Sequence, residues 1–141
     1  MSLTGIAHYA VRTPDLEASR RFYVDVLGLR AGYRPPFPFP GAWLYLGEDE
    51  ASYGVVHLIG EGTGEGLTAY LGARAADQGS GAVDHLAFFA RDWPAMRRRL
   101  EACGVGFNER TVPQLGLRQV FLLDPTGVVV ELNFPASEAD A

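Results

Sequence analysis

The pattern of hydrophobic and polar positions passes through the same series of elements twice. Residues 4–11 and 83–90 are short, mostly apolar runs that predict strands. Each run is followed by apolar residues spaced three or four apart, as on one face of a helix. These residues are Leu16, Phe22, Tyr23, Val26 and Leu27 in the first half and Met96, Leu100 and Cys103 in the second. The spacing predicts one amphipathic helix in each half, with Cys103 in its buried stripe.

Capping and turn residues bound both predicted helices. Thr13 is predicted to cap the first helix, with Pro14 at the first helical position, where a missing N–H costs nothing. Asp92 is the matching cap of the second helix. A glycine in the left-handed conformation is expected to end each helix; these glycines are Gly28 and Gly104.

Three further strands are predicted after each helix. They cover residues 30–34, 43–47 and 53–59 in the first half and residues 105–109, 118–123 and 128–134 in the second. Between the last two, residues 124–127 read Asp-Pro-Thr-Gly, which is typical of a hairpin turn. Each half is therefore β-α-β-β-β, and two such halves predict an α+β protein with mostly antiparallel sheets.

The length of 141 residues fits one compact domain. We expect a single domain over residues 1–141, with a first module at about 4–59 and a second at about 82–135. A glycine-rich connection over residues 60–81 joins them.

Four polar residues occupy matched places in the repeat. His8 and His85 lie in the first predicted strand of each half, and His57 and Glu131 lie in the last. A buried carboxylate needs a cation, hydrogen bonds or water. A divalent ion held by the three imidazoles would supply that cation for Glu131, and this ligand set suits Zn, Ni, Co, Mn or Fe. Taken alone, His57 could equally be a structural histidine and Glu131 could face solvent; the joint pattern favours the metal.

Composition narrows the possible partners. The net charge is −5, and the only dense basic run, residues 97–99, lies on a predicted helix, which argues against nucleic acid and anionic membranes. No apolar run approaches membrane-spanning length, and the first residues lack a signal-peptide pattern. The single cysteine excludes an internal disulfide and favours a reducing cytoplasm. A small-molecule substrate is the partner that we expect.

These motifs together resemble the vicinal oxygen chelate superfamily, which includes glyoxalase I, fosfomycin resistance proteins, methylmalonyl-CoA epimerase, extradiol dioxygenases and bleomycin-binding proteins. The resemblance covers nearly the whole chain. Its carriers are Ile6-Ala7-His8, the Phe-Tyr to Leu-Gly-Leu element of residues 22–29, Val-Asp-His-Leu-Ala-Phe at residues 83–88, and Asp-Pro-Thr-Gly followed by Glu-Leu within residues 121–132. The resemblance implies paired βαβββ modules whose curved mixed sheet forms a metal-binding cleft, completed within one chain or across a homodimer.

The resemblance also implies roles for individual residues. His8, His85 and Glu131 match the metal ligands of the fosfomycin resistance branch, and Glu131 is the expected catalytic carboxylate. His57 falls on the fourth ligand position of glyoxalase I and methylmalonyl-CoA epimerase, where those proteins carry Glu and Gln. One carboxylate fewer leaves a divalent site more positive and a stronger Lewis acid.

Further side chains are candidates for a substrate pocket. An aromatic group follows the proline-rich loop and would form a wall of the pocket, or pack in the core or in a dimer; its members are Phe37, Phe39, Trp43 and Tyr45. Three polar residues could hold an anionic substrate or lie on the surface; they are Arg110, Arg118 and Gln119. Asn133 shares the strand face of Glu131 and is an expected hydrogen-bond partner. Tyr9 should point away from His8.

Three functions remain open at the level of sequence. The first is a metal-dependent lyase or isomerase in which the ion chelates two substrate oxygens and stabilises an enediolate or oxyanion. The second is an Fe(II) extradiol-type dioxygenase, since two histidines and one carboxylate form the facial triad of non-haem iron. The third is a binding protein of the drug-resistance kind, without catalysis. We favour the first because His57 fills the fourth ligand position.

Overall fold

A computed structural model gives the fold and describes residues 6, 8–48, 54–60, 79, 83 and 85–138. The chain divides into two compact units, Met1–Gln78 and Gly79–Ala141. Most of the predicted glycine-rich connection lies outside the described residues. Among the described residues, no helix has the length and apolar character needed to cross a membrane.

The first unit contains one mixed sheet and one helix. Its elements are β1 (Tyr9–Thr13), α1 (Leu16–Arg21) with a π-helical turn at Phe22–Val26, β2 (Arg30–Gly32), β3 (Gly41–Tyr45) and β4 (Val56–Gly60). The strand order is β1-β4-β3-β2. The pairing of β1 with β4 is parallel, and the other two pairings are antiparallel.

The second unit repeats this arrangement. Its elements are β5 (Leu86–Phe89), α2 (Trp93–Ala102), β6 (Asn108–Val112), a 3-10 turn at Pro113–Leu115, β7 (Leu117–Leu123) and β8 (Val129–Pro135). The strand order is β5-β8-β7-β6, again with one parallel and two antiparallel pairings. The predicted α+β class and the doubled βαβββ order are confirmed.

Strand alternation gives each sheet one apolar face that packs on its helix and an opposite face that carries a candidate ligand. In the first unit, Leu16 of α1 lies against Gly60, which shares its face of β4 with the buried Val56 and Leu58. In the second unit, Trp93 of α2 contacts Phe134, on the same face as buried apolar residues of β8. Because successive strand side chains point to opposite faces, His57 and Glu131 lie on the faces away from the helices.

The start of α1 corrects one prediction. Thr13 does not cap the helix; it is the last residue of β1, where its buried hydroxyl accepts hydrogen bonds from Ser19 Oγ and from the backbone N–H of Asp15. Asp15 is the cap, and its side chain accepts a hydrogen bond from Ala18 N at 3.0 Å. Because Asp15 supplies the capping oxygen two positions later, the Thr13 hydroxyl instead joins the end of β1 to α1 through its bond with Ser19.

Other predicted ends are confirmed, although some elements are shifted. Asp92 caps α2, and Gly28, Gly104 and Gly127 all adopt positive φ. Strand β6 lies about three residues later than predicted, because its side chains are nearly all exposed and offer no hydrophobic pattern to set its limits. Cys103 is exposed instead of buried, since α2 already ends at Ala102.

Candidate functional site

The strand register places the candidate ligands at equivalent positions in the two units. His57 on β4 is opposite Ala10 of β1, and Glu131 on β8 is opposite Ala87 of β5. His8 and His85 each precede the paired alanine by two residues, so each lies on the same side of the sheet as its partner. The matched register agrees with the repeat predicted from the sequence.

In the first unit, His57 is the middle member of a stack of three rings. The His8 and His57 ring centroids are 3.7 Å apart with an interplanar angle of 14°. On the other side, Trp43 of β3 is directly opposite His57 in the sheet, and their ring centroids are 4.0 Å apart at 7°. Enclosed in this way, His57 is only 9% exposed, whereas His8 is open to solvent.

The environment of His57 keeps its imidazole neutral. Burial lowers the pKa of His57 to about 4, with smaller contributions in the same direction from His8 and Arg34; a backbone hydrogen bond with Gly54 opposes them. Its buried Nε2 has no hydrogen-bond partner among the described residues. Nδ1 is therefore the nitrogen that interacts with Gly54.

A buried polar atom without a partner costs free energy, so the Nε2 of His57 requires an explanation. A metal ion provides one, since neutral imidazole is the form that binds metals. Metal-bound histidines also commonly fix the ring through a hydrogen bond from the second nitrogen to a backbone carbonyl. The surroundings of His57 thus fit a divalent ion.

In the second unit, His85 and Glu131 form a second pair. His85 Nε2 is 3.6 Å from Glu131 Oε1, while Glu131 Oε2 accepts a hydrogen bond of 2.8 Å from Asn133 Nδ2. Two metal–ligand bonds of about 2.1 Å can span up to about 4.2 Å, so an ion could lie between these two atoms and bind both.

Each unit thus brings two candidate ligands into contact, His8 with His57 and His85 with Glu131, but the nearly parallel rings of His8 and His57 do not direct their in-plane nitrogen lone pairs to a common point. Across the described part of the chain, no group of three or more His, Cys, Asp or Glu side chains is placed so that it could hold a metal ion.

The aromatic residues predicted for the pocket surround the His57 stack. Phe37 stacks on Phe39 with centroids 5.4 Å apart, and its ring is 6.2 Å from that of Trp43. Phe39 is buried against Ile59, which follows His57 on the same face of β4. Tyr45 is also buried, and its hydroxyl donates a 2.7 Å hydrogen bond to the carbonyl of Tyr33. Tyr9 contacts Tyr23 on the helix side, as its parity predicts.

The three polar pocket candidates of the second unit divide between the two faces. Gln119 is buried on the face of Glu131 and bonds to both Arg110 and Asn133. Arg118 has the opposite parity on β7; its guanidinium lies 5.7 Å from the Trp93 ring centre and 3.8 Å from the carboxylate of Glu109. Arg118 therefore lies on the helix side, away from Glu131.

Two residues near His57 were not identified from the sequence. Gly54 has no room for a side chain, because a Cβ would stand 2.8 Å from the carbonyl oxygen of Leu44 and 3.3 Å from Trp43 Cβ. Arg34 crosses Gly41, bonds to the carbonyl of Phe39 and lies over the rings of Phe37 and Phe39. A glycine immediately before an apolar strand and an arginine immediately before the prolines were the available signals.

Comparison with known proteins gives a family match over most of the chain. The model of the Glyoxalase/Bleomycin resistance protein/Dioxygenase superfamily matches residues 5–132. Among functionally curated proteins, no significant match was found.

Solved structures share the fold at low sequence identity. A lactoylglutathione lyase from Agrobacterium tumefaciens is 22% identical with a TM-score of 0.64, and the match covers 95% of this chain and 96% of that one. A glyoxalase-related enzyme from Fulvimarina pelagi is 22% identical with a TM-score of 0.67, covering 94% and 88%. A fosfomycin resistance protein from Listeria monocytogenes is 16% identical with a TM-score of 0.63, covering 94% and 93%.

Proposed function

Because the chain belongs to the Glyoxalase/Bleomycin resistance protein/Dioxygenase superfamily, we propose that it is a metal-dependent lyase or isomerase of glyoxalase-like type. Its cofactor would be one divalent first-row ion, with His8, His57, His85 and Glu131 as ligands. Its substrate would be a small molecule with two neighbouring oxygen atoms. Zinc, nickel, cobalt, manganese and iron all suit a set of imidazoles and one carboxylate.

The observation that carries this proposal is the buried, unpartnered Nε2 of His57. A histidine kept only for packing would be replaced at little cost by an apolar ring, because the strand around it is apolar. Here the ring is held neutral, stacked on both faces and bonded to Gly54, so a single nitrogen remains for a ligand. This arrangement favours a role for His57 beyond packing.

When bound, the ion would supply a Lewis acid for negative charge that develops on substrate oxygens. The protein's own groups define the rest of the chemistry. Glu131 is held at Oε2 by Asn133 and presents Oε1 beside His85, where it could bind the ion and lie next to a substrate proton. In the first unit, Phe37 and Trp43 would supply an apolar wall beside His57.

His57 also favours the lyase or isomerase over a dioxygenase. A facial triad of two histidines and one carboxylate leaves three positions for dioxygen and substrate. A fourth protein ligand would leave two positions of an octahedral ion, enough for a chelating substrate but not for dioxygen as well. Iron in the purified protein together with oxygen uptake would support the dioxygenase instead.

Metal titration tests the proposal directly. We expect the metal-free protein to bind Zn²⁺ or Co²⁺ at one ion per chain and Trp43 fluorescence to change, because its ring is 4.0 Å from that of His57. Trp43→Phe should remove the fluorescence response while calorimetry still detects binding. Absence of binding in the wild-type protein would contradict the metal proposal. That result would favour the alternative function, a non-catalytic binding protein.

Single substitutions test the ligand assignment. Glu131→Gln keeps the shape and can still accept the Asn133 hydrogen bond, so we expect affinity to fall at least tenfold with little loss of stability. His57→Ala should weaken binding less than His85→Ala, because related sites manage with three ligands. Unchanged ion content in Glu131→Gln would show that the carboxylate is not a ligand.

The proposal includes a homodimer of single-domain chains in the cytoplasm. The single cysteine, which is exposed, fits a reducing compartment. Sedimentation of the metal-loaded protein would measure the oligomeric state.

A further inference from the structure

We propose that Arg110, Gln119 and Asn133 are positioning residues that determine which oxygen of Glu131 is presented to a divalent cation. The inference rests on the proposed function. It assigns a specific task to three side chains that do not themselves touch the ion: they fix the carboxylate as a ligand through one oxygen.

The three side chains form a continuous line of hydrogen bonds that ends at Glu131. Arg110 Nε donates to Gln119 Oε1 at 2.8 Å, and Gln119 Nε2 donates to Asn133 Oδ1 at 3.0 Å. Asn133 Nδ2 then donates to Glu131 Oε2 at 2.8 Å. All three distances lie within the normal range for N–H···O bonds.

The strand register explains why this line exists. Arg110 on β6 is directly opposite Gln119 on β7, and Gln119 is directly opposite Asn133 on β8. Side chains at directly opposite positions point to the same face of the sheet, so the three lie side by side across it. Glu131 is two residues before Asn133 and shares the same face.

The donors and acceptors along this line of hydrogen bonds can be arranged in only one order. A guanidinium can only donate and a carboxylate can only accept, so the two ends determine the orientation of both amides. With either amide reversed, an oxygen would face an oxygen or a donor would face a donor. Arginine at one end, and at the other Glu131 together with the carbonyl of Phe88, which accepts a 3.4 Å hydrogen bond from Asn133 Nδ2, therefore favour the same orientation of the Asn133 amide.

Burial makes the orientation effective. Gln119 is 9% exposed, Asn133 7% and Glu131 7%, so water cannot easily replace a lost bond. Arg110 is itself held over the Phe121 ring, 5.3 Å from its centre, and the His85 ring is nearly perpendicular to the same ring with centroids 6.3 Å apart. Glu131 Oε2 is thereby occupied, while Oε1 remains on the side of His85.

Two substitutions at Gln119 separate this role from simple electrostatics. Gln119→Met keeps the length of the side chain and removes both hydrogen bonds. Gln119→Glu keeps the bond from Arg110 but replaces the donor to Asn133 with an acceptor, so an oxygen faces Asn133 Oδ1, and the Asn133 amide can avoid this only by giving up its bonds to Glu131 and to the carbonyl of Phe88. The second variant adds a negative charge, which by charge alone would strengthen cation binding.

We expect both variants to bind Co²⁺ ten- to a hundredfold more weakly than the wild-type protein, in calorimetric titration of the metal-free chain. We also expect a changed visible absorption spectrum of bound Co²⁺, which responds to coordination geometry, because Glu131 can then bind through either or both oxygens. Arg110→Lys should restore part of the affinity lost in Arg110→Met.

Arg98→Met, which removes an exposed arginine from α2, is the matched control and should leave affinity and spectrum unchanged. Tighter binding in Gln119→Glu, or an unchanged spectrum and affinity in Gln119→Met, would overturn the inference while leaving the metal proposal intact. Failure of the wild-type protein to bind Co²⁺ would instead overturn the proposed function.

Discussion

At the scale of single residues, His57 is a strand side chain whose protonated form is destabilised by burial. The ring is enclosed by His8 and Trp43 and has lost contact with water at Nε2. Its protonated form is disfavoured far more in the folded chain than in the unfolded chain. This difference predicts how the stability of the metal-free protein depends on pH.

We expect the metal-free protein to lose about 1–2 kcal/mol of unfolding free energy between pH 7 and pH 5 through His57 alone. The pKa of His57 is about 4 in the folded protein, below its ordinary value of 6.5. As the pH falls below 6.5, the unfolded chain binds a proton that the folded chain cannot, and stability decreases until about pH 4. Urea denaturation at several pH values measures the effect.

His57→Asn is the comparison that isolates this contribution, because the substitution removes the imidazole of His57 and leaves every other ionisable side chain in place. The variant should show a weaker loss of stability over the same pH interval. Parallel pH dependence in the two proteins would mean that His57 is protonated equally well in the folded and unfolded states.

The candidate ligands were predicted from their matched positions in the repeat. His57 and Glu131 lie within β4 and β8, whereas His8 and His85, which were predicted inside strands, directly precede β1 and β5. Arg118 was grouped with Gln119 because both are polar and adjacent, yet one lies over Trp93 and the other beside Asn133. Only strand pairing decides which of two neighbours faces the site.

At the scale of elements, the sequence predicted the order of strands and helices more reliably than their ends. The helical spacing through Val26 is correct, but its last turn is π-helical and buries Phe22, Tyr23 and Val26 together. That adjustment depends on packing against the sheet, which the spacing cannot express. Residue Gly54 was missed for a related reason: its role is set by the backbone of the neighbouring strand.

Gly54→Ala should lower the unfolding free energy by about 1–3 kcal/mol, because the new methyl group would press on the backbone of Leu44. The carbonyl oxygen of Leu44 would be 2.8 Å from the added Cβ. Trp43 emission should shift as well, since the displaced backbone carries that ring. Urea denaturation followed by fluorescence measures both effects.

Gly106→Ala is the control, because a Cβ at Gly106 meets nothing within 4 Å and its φ is not positive. That variant should be neutral or more stable by up to about 1 kcal/mol. If Gly54→Ala and Gly106→Ala changed the unfolding free energy equally, the crowding at Gly54 would be relieved without loss of stability.

At the scale of the whole molecule, the repeat divides the candidate ligands between two units. Each unit has the same fold and the same register, but His57 in one corresponds to Glu131 in the other. A carboxylate in place of an imidazole lowers the formal charge of a divalent metal site by one unit. The same arrangement of strands therefore carries two imidazoles in the first unit, and one imidazole with one carboxylate in the second.

Under the proposed ligand set, metal binding should stabilise the folded chain. Zn²⁺ at about a hundred times its dissociation constant is expected to add about 2.7 kcal/mol to the unfolding free energy. If all four residues act on one ion, His57→Ala in the first unit and Glu131→Gln in the second should each reduce that gain, at one ion per chain. Two ions per chain, with each variant losing one, would show that the pairs act separately. Ca²⁺ at the same concentration is the control and should add little, because it requires more oxygen ligands than this set contains.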